Sequence, residues 1–146
     1  MLPMGLALWL FTRRVRALKV IVGICLCLAI TDNFNARVLK PFFGRQRPPR
    51  VMQDVQLRTE DHYGLSFPSN HAANTFAVAT FLTLVYPWTF FAFFPLAFLV
   101  AFSRVYVGVH FPLDVFFGAL LGVAIAHLFY RLWRKAFKYY IGLHKE

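Results

Sequence analysis

The stretch Ser103-Arg-Val-Tyr-Val-Gly-Val-His110-Phe-Pro-Leu-Asp114 sets an arginine, a histidine and an aspartate inside an otherwise apolar half of the chain. His110 and Asp114 are four residues apart, so on a helix they share a face, one turn from each other. A carboxylate so placed accepts a hydrogen bond from one imidazole nitrogen and leaves the other basic and directed outward. Pro112 suits the first turn of a helix, where a missing N–H costs little. His110 is therefore expected at a helix mouth, with Asp114 behind it. Arg104 precedes His110 by six residues, across Gly108 and a bend. Its forked guanidinium suits phosphate oxygens. A histidine oriented by a carboxylate beside such an arginine points to phosphoryl chemistry. A charged cluster where a membrane helix meets water fits the same residues.

Two upstream segments carry related chemistry. Lys40-Pro-Phe-Phe-Gly-Arg-Gln-Arg47-Pro48 interleaves cations with rigid punctuation, which suits holding positive charge in a fixed place. A solvated basic loop is the alternative. Phe67-Pro68-Ser69-Asn70-His71 stands immediately before an apolar run from Ala72 to Tyr86. Ser69 or Asn70 is a good N-cap, and the free N–H groups of that first turn make an anion site. His71 lies in the same turn, where the positive helix end favours its neutral form unless an anion is bound. The alternative is a capped helix with a chance histidine.

The elements that must position these residues are apolar. Hydrophobic residues make up 59% of the 146, aromatics 18%, charged residues only 15%, and the mean hydropathy is +0.56. That is more apolar surface than one soluble domain of this size needs, so the chain reads as a single integral membrane domain, 1–146. The net charge of +10 sits in loops beside apolar spans, not along a polar face. Anionic lipid surfaces and phosphorylated substrates fit it better than nucleic acid. Cys25 and Cys27, two apart in an apolar run, point to opposite sides of a helix and cannot pair.

Four spans are expected: Ala17–Ile30, Ala72–Tyr86, Phe90–Phe102 with a kink at Pro95, and Leu113–Tyr130. Leu2–Phe11 is apolar but too short to cross a bilayer, and is expected to lie in the interface or to end a truncated helix. Asp32, with Thr31, Asn33 and Asn35, marks the far end of the first span, with a functional Asp32 as the less common alternative. Residues 36–70 form the long polar loop, with Arg37, Lys40, Arg45, Arg47, Arg50 and Arg58 against Asp54, Glu60 and Asp61. Asn74, Thr75, Thr80 and Thr83 form a weakly polar stripe facing other helices. Gly118 and Gly122, four apart, allow close helix approach. His127 reads as a packing or interfacial residue. The tail bearing Arg131, Arg134, Lys135, Lys138 and Lys145 reads as an amphipathic exit helix. With four spans, the basic 12–19 segment and the basic tail share one side, which makes it cytoplasmic. The long loop and the Arg104–Asp114 stretch then converge on the opposite face.

Lys40-x6-Arg47-Pro48, Pro68-Ser69-Asn70-His71 and Ser103-Arg104-x5-His110-x3-Asp114 resemble, in order and internal spacing, the three signature motifs of the type 2 phosphatidic acid phosphatase superfamily. They span residues 40–114, about half the chain. The resemblance implies an all-α, polytopic transmembrane bundle with an extra-cytoplasmic catalytic region. It also implies a lipid phosphate or diphosphate phosphatase that works through a phosphohistidine. By the same resemblance Lys40, Arg47, Ser69, Asn70 and Arg104 bind phosphate, His110 is the nucleophile, Asp114 orients it, and His71 is general acid. Undecaprenyl diphosphate leads the implied substrates, ahead of phosphatidylglycerol phosphate, lipid A 1-phosphate and phosphatidic acid. The implied setting is a bacterial inner membrane, active site outward and C-terminus cytoplasmic.

The sequence departs from the family pattern in two ways. The second motif more often carries glycine where Asn70 stands, although asparagine tolerates unusual backbone angles well. Membrane members typically have six spans, with two before the equivalent of Ala17–Ile30, so the chain reads as a fragment or a minimal member. No acidic or histidine–cysteine grouping offers a metal site, and no cofactor is expected. A vanadium haloperoxidase would share the anion pocket, but those enzymes are soluble. A non-enzymatic membrane module would explain the spans and basic loops but not three converging motifs.

Topology is testable directly. In a background lacking Cys25 and Cys27, a cysteine introduced near Gln53 should react with an impermeant thiol reagent in intact cells, and one near Lys138 should not. Reversed labelling would put the motif face in the cytoplasm.

Overall fold

The computed structural model describes residues 4–53, 55, 57, 58 and 64–137, with side chains described from residue 12 to residue 136. The described residues are helical and contain no strand. Asp54, Glu60, Asp61, Lys138 and Lys145, named above, lie outside them. The order is α1 (Met4–Phe34), a π-helical turn (Asn35–Leu39), α2 (Lys40–Phe43), α3 (Pro48–Val51), α4 (Asn70–Val85), a 3-10 turn (Pro87–Thr89), α5 (Phe90–Tyr106) and α6 (Pro112–Phe137).

Two expectations are corrected here. Leu2–Phe11 was expected as a segment separate from the first span, but the backbone runs as one helix from Met4 to Phe34. No proline interrupts it, and Arg13, Arg14, Arg16 and Lys19 are good helix formers. The long loop is also partly helical, because Pro41 and Pro48 each fall at the start of a short helix, where proline is tolerated.

α4 lies at the centre and packs against α1, α5 and α6. Its residues explain this. Ala72, Ala73, Ala77 and Ala79 are buried and give the neighbours room. On one side Phe81 is enclosed with Cys27, Ala126, Tyr130 and Trp133 from α1 and α6. On the other, Phe76 packs with Ala97 and Ala101 of α5. Gly118 and Gly122 present their bare Cα atoms to α4. A Cβ at Gly122 would lie 2.1 Å from the Ala73 carbonyl oxygen, and one at Gly118 would lie 2.6 Å from that of Ser69. Cys25 is exposed and Cys27 buried, both unpaired.

The outer surface is apolar. Phe91, Phe98, Leu99 and Phe102 on α5 are exposed, as are Leu120, Leu128 and Leu132 on α6. Among the described residues two helices, Pro87–Tyr106 and Pro112–Ala136, are long and apolar enough to cross a membrane, and only 17% and 33% of their most apolar 18 residues are buried. A soluble core helix would hide most of such a surface. α5 ends at Tyr106, and Gly108, at φ +81°, turns the chain into α6 in a conformation that disfavours other residues.

The glycine seam makes a quantitative demand. Gly122→Ala should destabilise the fold by about 1–3 kcal/mol, since the opposing atom is rigid backbone. Thermal unfolding in detergent measures this, and an unchanged midpoint would contradict the packing described.

Candidate active site

Three chain segments meet at one end of the bundle. His110 lies between α5 and α6, and Pro112 opens α6 at its first position. Asp114, in the first turn, reaches back so that the Phe111 N–H donates to Oδ2 at 2.9 Å. That is half of a capping box, so the aspartate fixes the helix start as well as the imidazole. Asp114 is fully buried. Its Oδ2 lies 3.5 Å from His110 Nδ1, and the Ser66 hydroxyl donates to that same oxygen while sitting 3.5 Å from Nδ1. Arg45 donates to Oδ1 at 2.8 Å. The Arg45 guanidinium also lies over the Phe111 ring, 4.1 Å from its centroid.

The other face of the imidazole meets cations. Arg47, which is buried, donates to the Val109 carbonyl at 3.1 Å and to the Gly64 carbonyl at 3.3 Å. Its Nη1 stands 3.4 Å from His110 Nε2. A guanidinium only donates, so Nε2 faces it as a lone pair and the ring proton belongs on Nδ1, toward Asp114 and Ser66. Lys40 donates to the Leu65 carbonyl at 2.6 Å. Burial lowers the Lys40 ammonium to about 8, and the Arg47 charge reinforces this against the pull of Asp114 and Asp32. Burial likewise lowers His110 below the usual histidine range. The hydrogen bond to Asp114 opposes that shift, and the charges of Arg47 and Lys40 add to it. His110 thus favours its neutral form, with the Nε2 lone pair toward Arg47.

The Ser69–His71 turn is joined to this centre through the backbone. The Ser69 N–H donates to the Asp114 carbonyl at 2.9 Å, so the starts of α4 and α6 are tied together. Ser69 occupies the N-cap position but makes no side-chain cap bond, a correction to the expected cap. Its hydroxyl oxygen is buried without a hydrogen-bond partner, which leaves it available to a substrate oxygen. Asn70 does not cap either, because it is the first helical residue and its amide bonds to Asn35 and Asp32. His71 is exposed in the first turn of α4, with its carbonyl accepting the Thr75 hydroxyl. Arg104, near the end of α5, uses its backbone carbonyl to accept the Val109 and His110 N–H groups. Its guanidinium Nε donates to Ser103 Oγ at 3.1 Å.

Sequence reasoning missed Ser66 and understated Arg45. Ser66 lies 48 residues before its partner Asp114 and outside any motif. Arg45 lies inside the first motif, where it read as one more basic residue. His127 is exposed, with Nδ1 3.1 Å from the Val123 carbonyl, far along α6 from the site. Among the described residues no group of three or more histidine, cysteine or acidic side chains could hold a metal ion.

A histidine backed by a buried carboxylate, with an arginine at its other ring nitrogen, thus stands at one end of an apolar helical bundle. The chain belongs to the PAP2 superfamily, whose family profile matches residues 16–138. The lipid A 4'-phosphatase of Porphyromonas gingivalis is 29% identical over 137 residues, covering 86% of this chain and 56% of that protein. The undecaprenyl-diphosphatase of Sulfolobus acidocaldarius is 36% identical over 123 residues, covering 84% and 58%. The crystal structure of a transmembrane PAP2-type phosphatidylglycerolphosphate phosphatase from Bacillus subtilis superposes with a TM-score of 0.65 at 27% identity, covering 90% of this chain and 71% of that one. The chain thus spans a little over half the length of the two named relatives.

The lowered Lys40 has a signed consequence. Below about pH 8 the ammonium is charged, and above it the charge is lost. Affinity for vanadate or inorganic phosphate should therefore fall as pH rises through about 8. Lys40→Arg should move that limb beyond the accessible range, because guanidinium does not deprotonate there. Titration calorimetry across pH 6–10 would check this, about one pH unit per point.

Proposed function

We propose that the protein is an integral membrane lipid phosphate or diphosphate phosphatase that acts through a phosphohistidine on His110. The observation that carries this reading is the setting of His110: Nδ1 against Asp114 and Ser66, Nε2 opposite Arg47. On this reading His110 is the nucleophile, and the phosphate oxygens are bound by Arg47, Lys40, Arg104, Ser69 Oγ and the Asn70 N–H. Such positioning and charge spreading are most of the work in phosphoryl transfer.

In the first step His110 Nε2 attacks phosphorus and the bond from phosphorus to the leaving oxygen breaks. His71 gives that oxygen a proton. Arg47 must turn from Nε2 to a phosphoryl oxygen as substrate enters, which frees the lone pair when the electrophile is in place. Asp114 keeps the Nδ1 proton in position as the ring gains positive charge. In the second step water attacks the phosphohistidine, His71 takes its proton, the phosphorus–nitrogen bond breaks, and inorganic phosphate leaves. Each step balances with water as the only co-reactant, so the reaction as written needs no metal.

Four helices, α1, α4, α5 and α6, are assigned as spans. α4, with 16 residues, is the shortest and is shielded by the others. The motif face is assigned to the periplasm or cell exterior, with the C-terminus cytoplasmic, in a bacterial inner membrane. Undecaprenyl diphosphate leads the substrate list, supported by the Sulfolobus relative's name. The names of the Porphyromonas and Bacillus relatives support lipid A phosphates and phosphatidylglycerol phosphate as the second reading.

Phosphate release from a panel of purified lipid phosphates and diphosphates tests the activity and ranks the substrates. Turnover should survive EDTA and be blocked by vanadate, and restoration by magnesium after EDTA would overturn the metal-free reaction. The histidine roles separate by leaving group. His110→Ala should be inactive on every substrate. His71→Ala should lose about 100–10,000-fold on a lipid monophosphate. It should lose less on an aryl phosphate or diphosphate, whose leaving oxygen needs less protonation. Equal loss on all leaving groups would contradict the role given to His71.

A further inference from the structure

A second polar network lies directly beneath the phosphate-binding turns. Asn35 is fully buried at the start of the π-helical turn, and its carbonyl accepts the Lys40 N–H. Its side-chain Nδ2 donates to the Pro68 carbonyl at 3.2 Å and to Asn70 Oδ1 at 2.7 Å. Asn70 Nδ2 in turn donates to Asp32 Oδ1 at 2.8 Å, and Asn74 Nδ2 donates to the same oxygen at 3.1 Å.

The directions in this chain are forced. A carboxylate only accepts, so Asn70 must offer its NH2 to Asp32 and its oxygen to Asn35. Asn35 must then present NH2 to Asn70, and the second hydrogen of that group meets the Pro68 carbonyl. This leaves Asn35 Oδ1 buried without a partner. The reversed amide would set an oxygen against two acceptors, which is worse. An aspartate on α1 thereby dictates the orientation of a side chain that joins two segments far apart in sequence.

We propose that Asn35, oriented through Asn70 by Asp32, is a positioning residue that holds the Lys40 turn and the Ser69–Asn70 turn in register as two walls of the phosphate site. The proposal rests on the phosphatase reading above. The main-chain side of Asn35 sets where the lysine turn begins, because its carbonyl closes that turn. Its amide sets where the Pro68–Asn70 backbone lies. A single-turn π-helix is a common device for re-aiming residues at functional sites. The arrangement also accounts for Asn70 standing where the family pattern more often has glycine. A glycine would have no amide for Asp32 and Asn35 to hold, so this chain fixes its second motif through a side chain.

The test is a double-mutant cycle on Asp32→Ala and Asn70→Gly, with Asn35→Leu as a third variant. It is read as kcat and KM on an aryl phosphate and a lipid phosphate, and as calorimetric affinity for inorganic phosphate. Each single variant of the cycle should weaken phosphate binding and raise KM, and the double variant should be no worse than the more impaired single one. Asn35→Leu should lower kcat/KM by up to about a hundredfold, the scale of a misplacement near 1 Å. Its loss should appear in KM and in phosphate affinity, which a merely structural role would leave unchanged in the folded fraction. Multiplying effects of Asp32→Ala and Asn70→Gly, or an unchanged phosphate affinity in Asn35→Leu, would overturn the proposal. If Asn35→Leu does not fold, the cycle between the half-buried Asp32 and Asn70 decides alone. If the native protein turns over no substrate, the phosphatase reading fails, while the cycle in phosphate affinity still decides the positioning role.

Discussion

The site depends on one buried carboxylate. Asp114 is sealed from solvent, and an ion there is costly unless donors surround it. The donors come from three separate parts of the chain: Arg45, the Ser66 hydroxyl and the Phe111 N–H, with His110 Nδ1 alongside. The need to satisfy this one group draws the first motif, the segment before the second, and the third into contact. The Asp114 carbonyl adds a further tie by accepting the Ser69 N–H. One residue thus orients a ring, starts a helix and joins two helix ends. Removing a donor leaves the buried carboxylate less compensated, which destabilises it, although the partly exposed Arg45 contributes less than a sealed partner would.

Around that carboxylate Arg45, Arg47 and Lys40 bring positive charge together. Arg47 donates to the Val109 and Gly64 carbonyls and Lys40 to the Leu65 carbonyl, so backbone dipoles help to set their positions. The Arg47 charge helps lower Lys40, and both charges help keep His110 neutral. On the proposed reading, a phosphate would bring negative charge to these cations, with Arg47 turning from Nε2 to meet it. The close α4–α6 seam is what permits this. Without bare Cα atoms at Gly118 and Gly122, the backbone of Ser69 and the helix carrying Asp114 could not come this near.

Local chemistry was legible in the sequence wherever a few residues decide it. The four-residue spacing of His110 and Asp114, Pro112 at the helix start, and the Gly118–Gly122 pair each state their role within one or two turns. Partners made by the fold were not legible. Arg45 and Ser66 meet Asp114 across 69 and 48 residues, and no local pattern distinguishes them from an ordinary basic residue and an ordinary loop serine. Asp32 read as a polar helix end, yet it holds the amides of Asn70 and Asn74. Ser69 read as a side-chain cap, but the Asp114 carbonyl engages its N–H and no cap bond forms. The continuity of α1 was missed for a simpler reason. A run of arginines looks like a membrane boundary by charge, while the backbone treats it as good helix.

The central claim is that His110 attacks through Nε2 because Asp114 and Ser66 occupy the side of Nδ1. Its most direct test is the regiochemistry of the trapped intermediate. The native protein is quenched in alkali during turnover of a lipid phosphate, digested, and analysed by tandem mass spectrometry and 15N–31P NMR. A phosphoryl group on Nε2 of His110 is the expected result. Phosphorylation at Nδ1, or at any residue other than His110, would contradict the account.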